Sequence, residues 1–239
     1  MYILVGSRDE TINNNGISHL IEHLLLKGTK RRTNKDINLF IDSIGGRFNG
    51  ATTKEYTYYL VSFLREDLAK VCDFLRDILY NSLFSEEDIE KEKNLILQEI
   101  RRFKDSLSRY AIHRFSQTIF GQHPLSHPVI GTSESIKTLD RIKVLNFLYD
   151  NYIGERILIV AVGNIEHSTL VSMISKKFPQ VKKRKKFREK SVLKLPTPEV
   201  KVEKRKNINQ VYGVIGCRIP GYRWEKKICY GSFKYYLWG

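Results

Sequence analysis

The sequence predicts an α+β fold in which helices pack against a sheet. Three observations carry this. Apolar stripes of helical period recur along most of the chain before a basic run at 182–190, and two adjacent β-rich segments are joined by a short polar turn. Hydrophobic residues make up 41% of the 239 positions and charged residues 28%, enough apolar content for a core and too much for a disordered chain. The length allows one large domain, or one domain and part of another.

The elements follow in order. Tyr2 to Val5 read as the end of a strand, followed by the polar loop GSRDETINNN. In GISHLIEHLLLKG, Ile17, Leu20, Ile21, Leu24 and Leu25 recur at helical spacing and Gly28 stops the pattern. Thr33 is an N-cap for NKDINLFIDSI, which Gly45 and Gly46 close. RFNGATT and YTYYLVSF, rich in Thr, Tyr, Phe and Val, form two strands across the Lys54-Glu55 turn. A helix over about 65–80 carries Leu68, Val71, Leu75 and Leu79 on one face. Ser85 caps the next helix, and Glu86, Glu87 and Asp88 suit its positive end. More helix is expected at 107–120, then the loop GQHPLSHPVIG, helices over 133–150, the strand ERILIVAVG and a helix from about 166 to 177.

The segment 180–207 contains KKRKKFREK and KVEKRK with Pro196 and Pro198, and reads as an exposed connector. Beyond it, QVYGVIGCRIPGY reads as strand and loop and WEKKICYGSFKYYLWG as the start of a helix. That order loosely mirrors residues 2–27. The expected organisation is therefore a first domain at 1–179, a basic linker at 180–207, and the opening of a second, similar domain at 208–239.

Composition narrows the function classes. No run approaches the roughly 18 apolar residues of a membrane span, so no span is expected. MYILVGSRDE lacks a basic stretch followed by an apolar one, so no signal peptide is read, and the expected location is cytoplasmic. Cys72, Cys217 and Cys229 are too few and too scattered for a disulfide framework or a cysteine zinc site. Forty-one Lys and Arg against 26 Asp and Glu give +15, which raises nucleic acid as a partner. Much of the excess lies in the connector, however, and no finger or RNA-binding signature accompanies it, so a solvated linker is the better reading.

His19, Glu22 and His23 form H-x-x-E-H on the first helix. Residues i and i+4 share a face, so both imidazoles can reach one ion. Glu22 sits beside that face, a position suited to a base for a metal-activated water rather than to a ligand. The motif inverts H-E-x-x-H and is the inverzincin signature. Zinc is the expected ion, with a carboxylate as third protein ligand. The helix is otherwise strongly apolar, so three ionisable groups near its core face would be costly to bury without an ion. A distant helix offers carboxylates: Glu92 and Glu99 are seven residues apart, two turns on one face.

With these residues in view, the chain resembles the pitrilysin and mitochondrial-processing-peptidase family of zinc peptidases. GSRDE, NGISHLIEHLLLKGTKRR, IDSIGGRFNGATTKEYTYY, LFSEEDIEKEKNLILQEI, GQHPLSHPVIGTSESI, AVGNI and IPGY match it in order and spacing. From His23 to Glu99 the interval is 99 − 23 = 76, the family's distance to its third ligand. The resemblance implies a mixed, largely antiparallel sheet packed against helices. It further implies one zinc per chain on His19, His23 and Glu99, Glu22 as general base, and Glu92 as a carboxylate supporting the site from behind the ligands. Phe48, Asn49, Gly50 and Ala51 fall on the strand along which family members lay the substrate backbone, with Gly50 where Ala is common. The implied activity is zinc-dependent endopeptidase cleavage of extended or unfolded polypeptides, and the weak electrostatic expectation from the +15 surface is an acidic or neutral peptide. A second similar domain or subunit is expected to close over the site. Measured against the family, its first strand and most of its second would precede Tyr2, and the second domain would extend beyond Gly239. The alternative implied is an inactive or partner-dependent fragment or scaffold subunit of a processing-peptidase-like assembly.

Overall fold

The computed structural model describes residues 1–178, 198–205 and 210–218. The basic run 182–190, Cys229 and the helix read from 224 onward lie outside the described residues, as does most of the proposed second domain.

Four strands, β1 (Tyr2–Ile3), β2 (Arg47–Thr52), β3 (Thr57–Ser62) and β4 (Ile157–Leu158), form one antiparallel sheet in the order β2-β3-β1-β4. β2 and β3 are a hairpin, with Phe48 opposite Val61, Gly50 opposite Tyr59 and Thr52 opposite Thr57. Strand side chains alternate between faces. Tyr59, Thr57 and Ile3 point into the core, while Leu60 and Tyr2 stay exposed on the other side. β2 is an edge strand of this sheet.

The helices are α1 (Ile17–Leu24), α2 (Asn34–Ser43), α3 (Leu68–Asn81), α4 (Glu86–Asp105), α5 (Leu107–Phe120), α6 (Ser133–Thr138), α7 (Arg141–Asn151) and α8 (His167–Lys177). Thr33 and Ser85 cap α2 and α4 as expected, each hydroxyl accepting from the backbone N–H three residues on. α3 buries Val71, Leu75 and Leu79, and also Phe74 and Ile78, so its core face is wider than one stripe of leucines. α4 buries Ile89, Glu92, Lys93, Ile96 and Ile100, a stripe of helical period that packs on α1.

α1 is the central helix. Ile17, Leu20, Ile21 and Leu24 are buried among Val5, Tyr59, Phe74 and Ile96. Its start is fixed in two ways. Gly16 has φ +93°, and a Cβ there would meet the Gly131 Cα at 2.8 Å, so only glycine fits. The buried Glu10 carboxylate accepts from the N–H groups of Gly16 (2.8 Å) and Ser18 (2.9 Å) and from Asn15 Nδ2 (2.7 Å). An acidic group at the positive end of α1 satisfies N–H groups that no helical carbonyl can reach.

Two strand expectations contract. The strand read over 155–163 is ordered as β4 only at 157–158, because its partner β1 offers two residues for pairing. Val160 and Val162 are exposed, the latter 96%. The strand read after the connector is absent from the described residues 210–218, where Val211 and Ile215 are exposed. No described helix is long and apolar enough to cross a membrane.

Candidate metal centre and active site

α1 and α4 pack side by side and bring His19, His23 and Glu99 together. One ligand atom from each lies within 4.8 Å of the other two. The Nε2 atoms of His19 and His23 are 3.2 Å apart, and Glu99 Oε2 is 3.9 Å from His19 Nε2. Both rings are mostly buried, while the Glu99 side chain is 41% exposed and opens the cluster to solvent.

Glu92 lies behind His23. Its carboxylate is buried, with Oε2 2.9 Å from His23 Nδ1 and Oε1 2.7 Å from Lys27 Nζ. Burial alone would raise its pKa, but the hydrogen bonds from His23 and Lys27 outweigh this and hold it below the usual carboxylate value. Burial likewise opposes charge on His23, yet the Glu92 hydrogen bond and the nearby Glu99 and Glu22 lift its pKa above the ordinary value. His19 lacks such a partner: burial, then repulsion from His23, brings it down to about 4, so it is neutral near pH 7. Its Nδ1 is buried with no hydrogen-bond partner among the described residues.

Glu22 faces β2. Thr52 Oγ1 donates to its Oε2 at 2.6 Å. Burial raises the Glu22 pKa, the Thr52 hydrogen bond and His23 oppose this, and the net shift is upward. An added Cβ on Gly50 would sit 3.4 Å from Glu22 Oε1, so Gly50 leaves that oxygen open. A cleft of about 410 Å³ lies beside these groups, lined among others by Glu22, His23, Lys27, Phe48, Asn49 and Gly50. Of the four strand residues singled out from sequence, Phe48 and Gly50 share the face of Tyr59, Asn49 reaches the cleft from its exposed edge, and Ala51 faces away beside Tyr58 and does not line it.

The donor set suits a divalent metal. Two imidazoles and a carboxylate converge with no hydrogen between the two Nε2 atoms, 3.2 Å apart, when both rings carry their proton on Nδ1, a nitrogen–oxygen set typical of zinc. Sequence reasoning missed Lys27, Thr52 and Glu10. Lys27 lies four residues after His23, on the same helical face, and that spacing was the available signal. Thr52 shares strand parity with Gly50. Glu10 has no local signal.

The chain belongs to the insulinase family, peptidase family M16. That family's model matches residues 1–133, and the model of the peptidase M16 inactive domain matches residues 138–238. Among curated relatives, the beta subunit of the mitochondrial-processing peptidase of Neurospora crassa is 35% identical over 181 residues, covering 76% of this chain and 38% of the relative. An uncharacterised zinc protease of Mycobacterium leprae is 32% identical over 230 residues, covering 95% of this chain and 52% of the relative. The chain thus spans about half, or less, of the length of these relatives. Among solved structures, a protease from Helicobacter pylori superposes with TM-score 0.73 at 22% identity over 82% of this chain and 47% of its own. Pitrilysin superposes with TM-score 0.70 at 21% identity over 82% of this chain and 22% of its own. These likenesses show the fold.

Proposed function

We propose that this chain is the metal-bearing part of a zinc endopeptidase that cleaves extended polypeptide. The observation that carries the reading is the convergence of His19, His23 and Glu99 within 4.8 Å, with the Glu22 carboxylate beside them on the same helix as the two histidines. His19, His23 and Glu99 would hold the ion. When bound, zinc supplies Lewis acidity toward a carbonyl oxygen and makes water easier to deprotonate. Glu22 is the general base. With Oε2 held by Thr52, the open Oε1 takes the proton of the attacking water and returns it to the leaving amine nitrogen. Its burial favours the proton-carrying state needed for the second transfer.

The peptide would pair by main-chain hydrogen bonds with the edge of β2, at Phe48, Asn49, Gly50 and Ala51. A main-chain docking mode selects extended segments over folded ones and leaves side-chain preference to the cleft. The +15 charge of the chain favours acidic or neutral peptides. The same reading assigns 1–179 to the first domain, which the pairing of β4 with β1 supports, although the inactive-domain model begins at 138. A second domain or subunit would close over the cleft. The likeness to the beta subunit of a processing peptidase favours a second reading, a partner-dependent subunit that binds zinc without cleaving.

The test is zinc content together with cleavage of an unstructured peptide, for the wild type and Glu22→Gln. Zinc retained in both and cleavage abolished in Glu22→Gln supports the peptidase. Zinc in both with no cleavage in either supports the partner-dependent subunit. Absence of zinc at the site refutes both.

A further inference from the structure

We propose that Lys27 is a positioning residue for the metal centre, fixing the Glu92 carboxylate so that it holds the His23 ring with its Nδ1–H toward Glu92 and its Nε2 lone pair toward His19 and Glu99. The inference rests on the reading of His19, His23 and Glu99 as metal ligands and adds a residue to it.

The geometry is a chain of three groups. α1 ends at Leu24, the Lys27 N–H donates to the Leu24 carbonyl at 3.0 Å, and Gly28 then turns away at φ +152°. That extra turn places Lys27 one helical repeat beyond His23. Its Nζ reaches Glu92 Oε1 at 2.7 Å, while Oε2 of the same carboxylate lies 2.9 Å from His23 Nδ1. Both carboxylate oxygens are thereby committed, and the plane of the group is set by two contacts at once. Glu92 has a 4% exposed side chain, so water cannot replace either contact freely. A buried carboxylate with a single neutral imidazole donor would be left under-compensated and free to turn.

The consequence for His23 is its tautomer. A carboxylate at Nδ1 requires the proton there, which leaves Nε2 as the lone-pair donor. That nitrogen is the one 3.2 Å from His19 Nε2, at the centre of the ligand cluster. Among the described residues His19 has no equivalent support, since none of them partners its buried Nδ1. Orientation of the pair therefore enters through His23, and through Lys27 behind it.

A cation beside a metal site has two opposite expected effects, which makes the assignment testable. If Lys27 acted only by charge, replacing it with a neutral side chain would tighten binding of a divalent ion. If it positions Glu92, the same replacement weakens binding, on the order of 10-fold, the usual range for a group behind a ligand. The experiment is competition titration of Zn²⁺ against a chromophoric chelator for the full chain, Lys27→Met, Lys27→Arg, Glu92→Gln and the Lys27→Met/Glu92→Gln pair. Expected are weaker binding in Lys27→Met and recovery in Lys27→Arg. The double variant should match Glu92→Gln within about 3-fold, because Lys27 acts through Glu92. The double variant carries no buried unpaired charge, so the comparison with Glu92→Gln stands even where Lys27→Met alone does not fold. Tighter or unchanged binding in Lys27→Met, or a further loss in the double variant, overturns the proposal.

A metal-free readout separates this from the ligand reading. Long-range ¹H–¹⁵N spectra of the metal-free chain, recorded at alkaline pH where the His23 ring is neutral, should show it as the Nδ1–H tautomer, and Lys27→Met should shift it toward a mixture. An unchanged His23 tautomer in Lys27→Met sinks the role of Lys27, whether or not zinc binds. A wild-type chain that binds no Zn²⁺ sinks the ligand reading instead.

Discussion

Thr52→Val tests whether the general base is aimed by the strand that would carry the peptide. The change is nearly isosteric and removes one hydroxyl. In the structure that hydroxyl donates to Glu22 Oε2 at 2.6 Å, the length of a charge-assisted O–H···O⁻ bond. Hydrogen bonds to charged groups are worth about 1.5–3 kcal/mol. Without it, the carboxylate keeps its burial and loses the contact that fixes its rotation. If half of that energy is expressed in the transition state, kcat falls about 3- to 10-fold, since 1.4 kcal/mol is one decade. KM should stay near the wild-type value, because a peptide on β2 pairs through main chain that valine leaves intact. Zinc content should be unchanged, because Thr52 touches no residue of the metal cluster. Thr52→Ser keeps the hydroxyl and should restore most of kcat. The assay is steady-state cleavage of an unstructured fluorogenic peptide, with zinc measured on the same samples. Wild-type kcat in zinc-replete Thr52→Val would refute the reasoning and leave Glu22 aimed by something else.

Three further outcomes are expected. Asp77 is buried on α3 and accepts from Asn81, Thr29 and Arg32, which together outweigh burial and lower its pKa. A depressed folded pKa contributes stability above the unfolded value and loses it as pH falls through the folded one, so urea unfolding should show stability declining below about pH 4. Asp77→Asn should reduce that acid dependence and cost about 3 kcal/mol at neutral pH, since Arg32 keeps only Asp73. Gly46→Ala would place a Cβ 1.7 Å from the Ser62 carbonyl oxygen, so the start of the hairpin must move; a loss of about 2 kcal/mol by chemical denaturation is expected, with a wild-type midpoint as the contrary result. Zinc at about 100 times its Kd should stabilise the chain by about 2.7 kcal/mol, read as a rise in melting midpoint that chelator reverses and Glu99→Gln largely removes.

Much of the fold could be read from local signals. α2 and α4 announce themselves by hydroxyl caps and helical periodicity, and the β2–β3 hairpin by β-branched and aromatic runs across a polar turn. At 155–163 composition suggests a longer strand than the structure holds, for a physical reason: ILIVAV has strand composition, but the length of a ladder is set by its partner, and β1 pairs at two positions. At the site, the two histidines and Glu22 lie within one helical turn and a half, so spacing alone suggests their chemistry. Glu99 needed the two-turn relation to Glu92 and the likeness to a family. Thr52, Lys27 and Glu10 stayed hidden because their partners are distant in sequence or unrelated in pattern. A threonine in a strand reads as a strand former, and a lysine after an apolar helix reads as a favourable charge at its negative end.

The charge arrangement gives the site its direction. The chain carries +15, yet three carboxylates, Glu22, Glu92 and Glu99, gather around two imidazoles on α1. Each has a different surrounding. Glu92 is buried and doubly held, Glu22 is half-buried and held by the hydroxyl and backbone N–H of Thr52, and Glu99 is the most open to solvent. Those differences divide the labour. The doubly held group orients a ring and has no free oxygen for a proton. The half-held group keeps one oxygen for proton transfer, and its neighbour Glu99 raises its pKa further. The open group can turn toward an incoming ion. With His19 and His23 each carrying a single proton on Nδ1, both Nε2 lone pairs face the same space as Glu99. A site built this way repels itself until a cation enters. Glu92 already has Lys27 as its cation, so the charge left for a divalent ion to offset is that of Glu22 and Glu99.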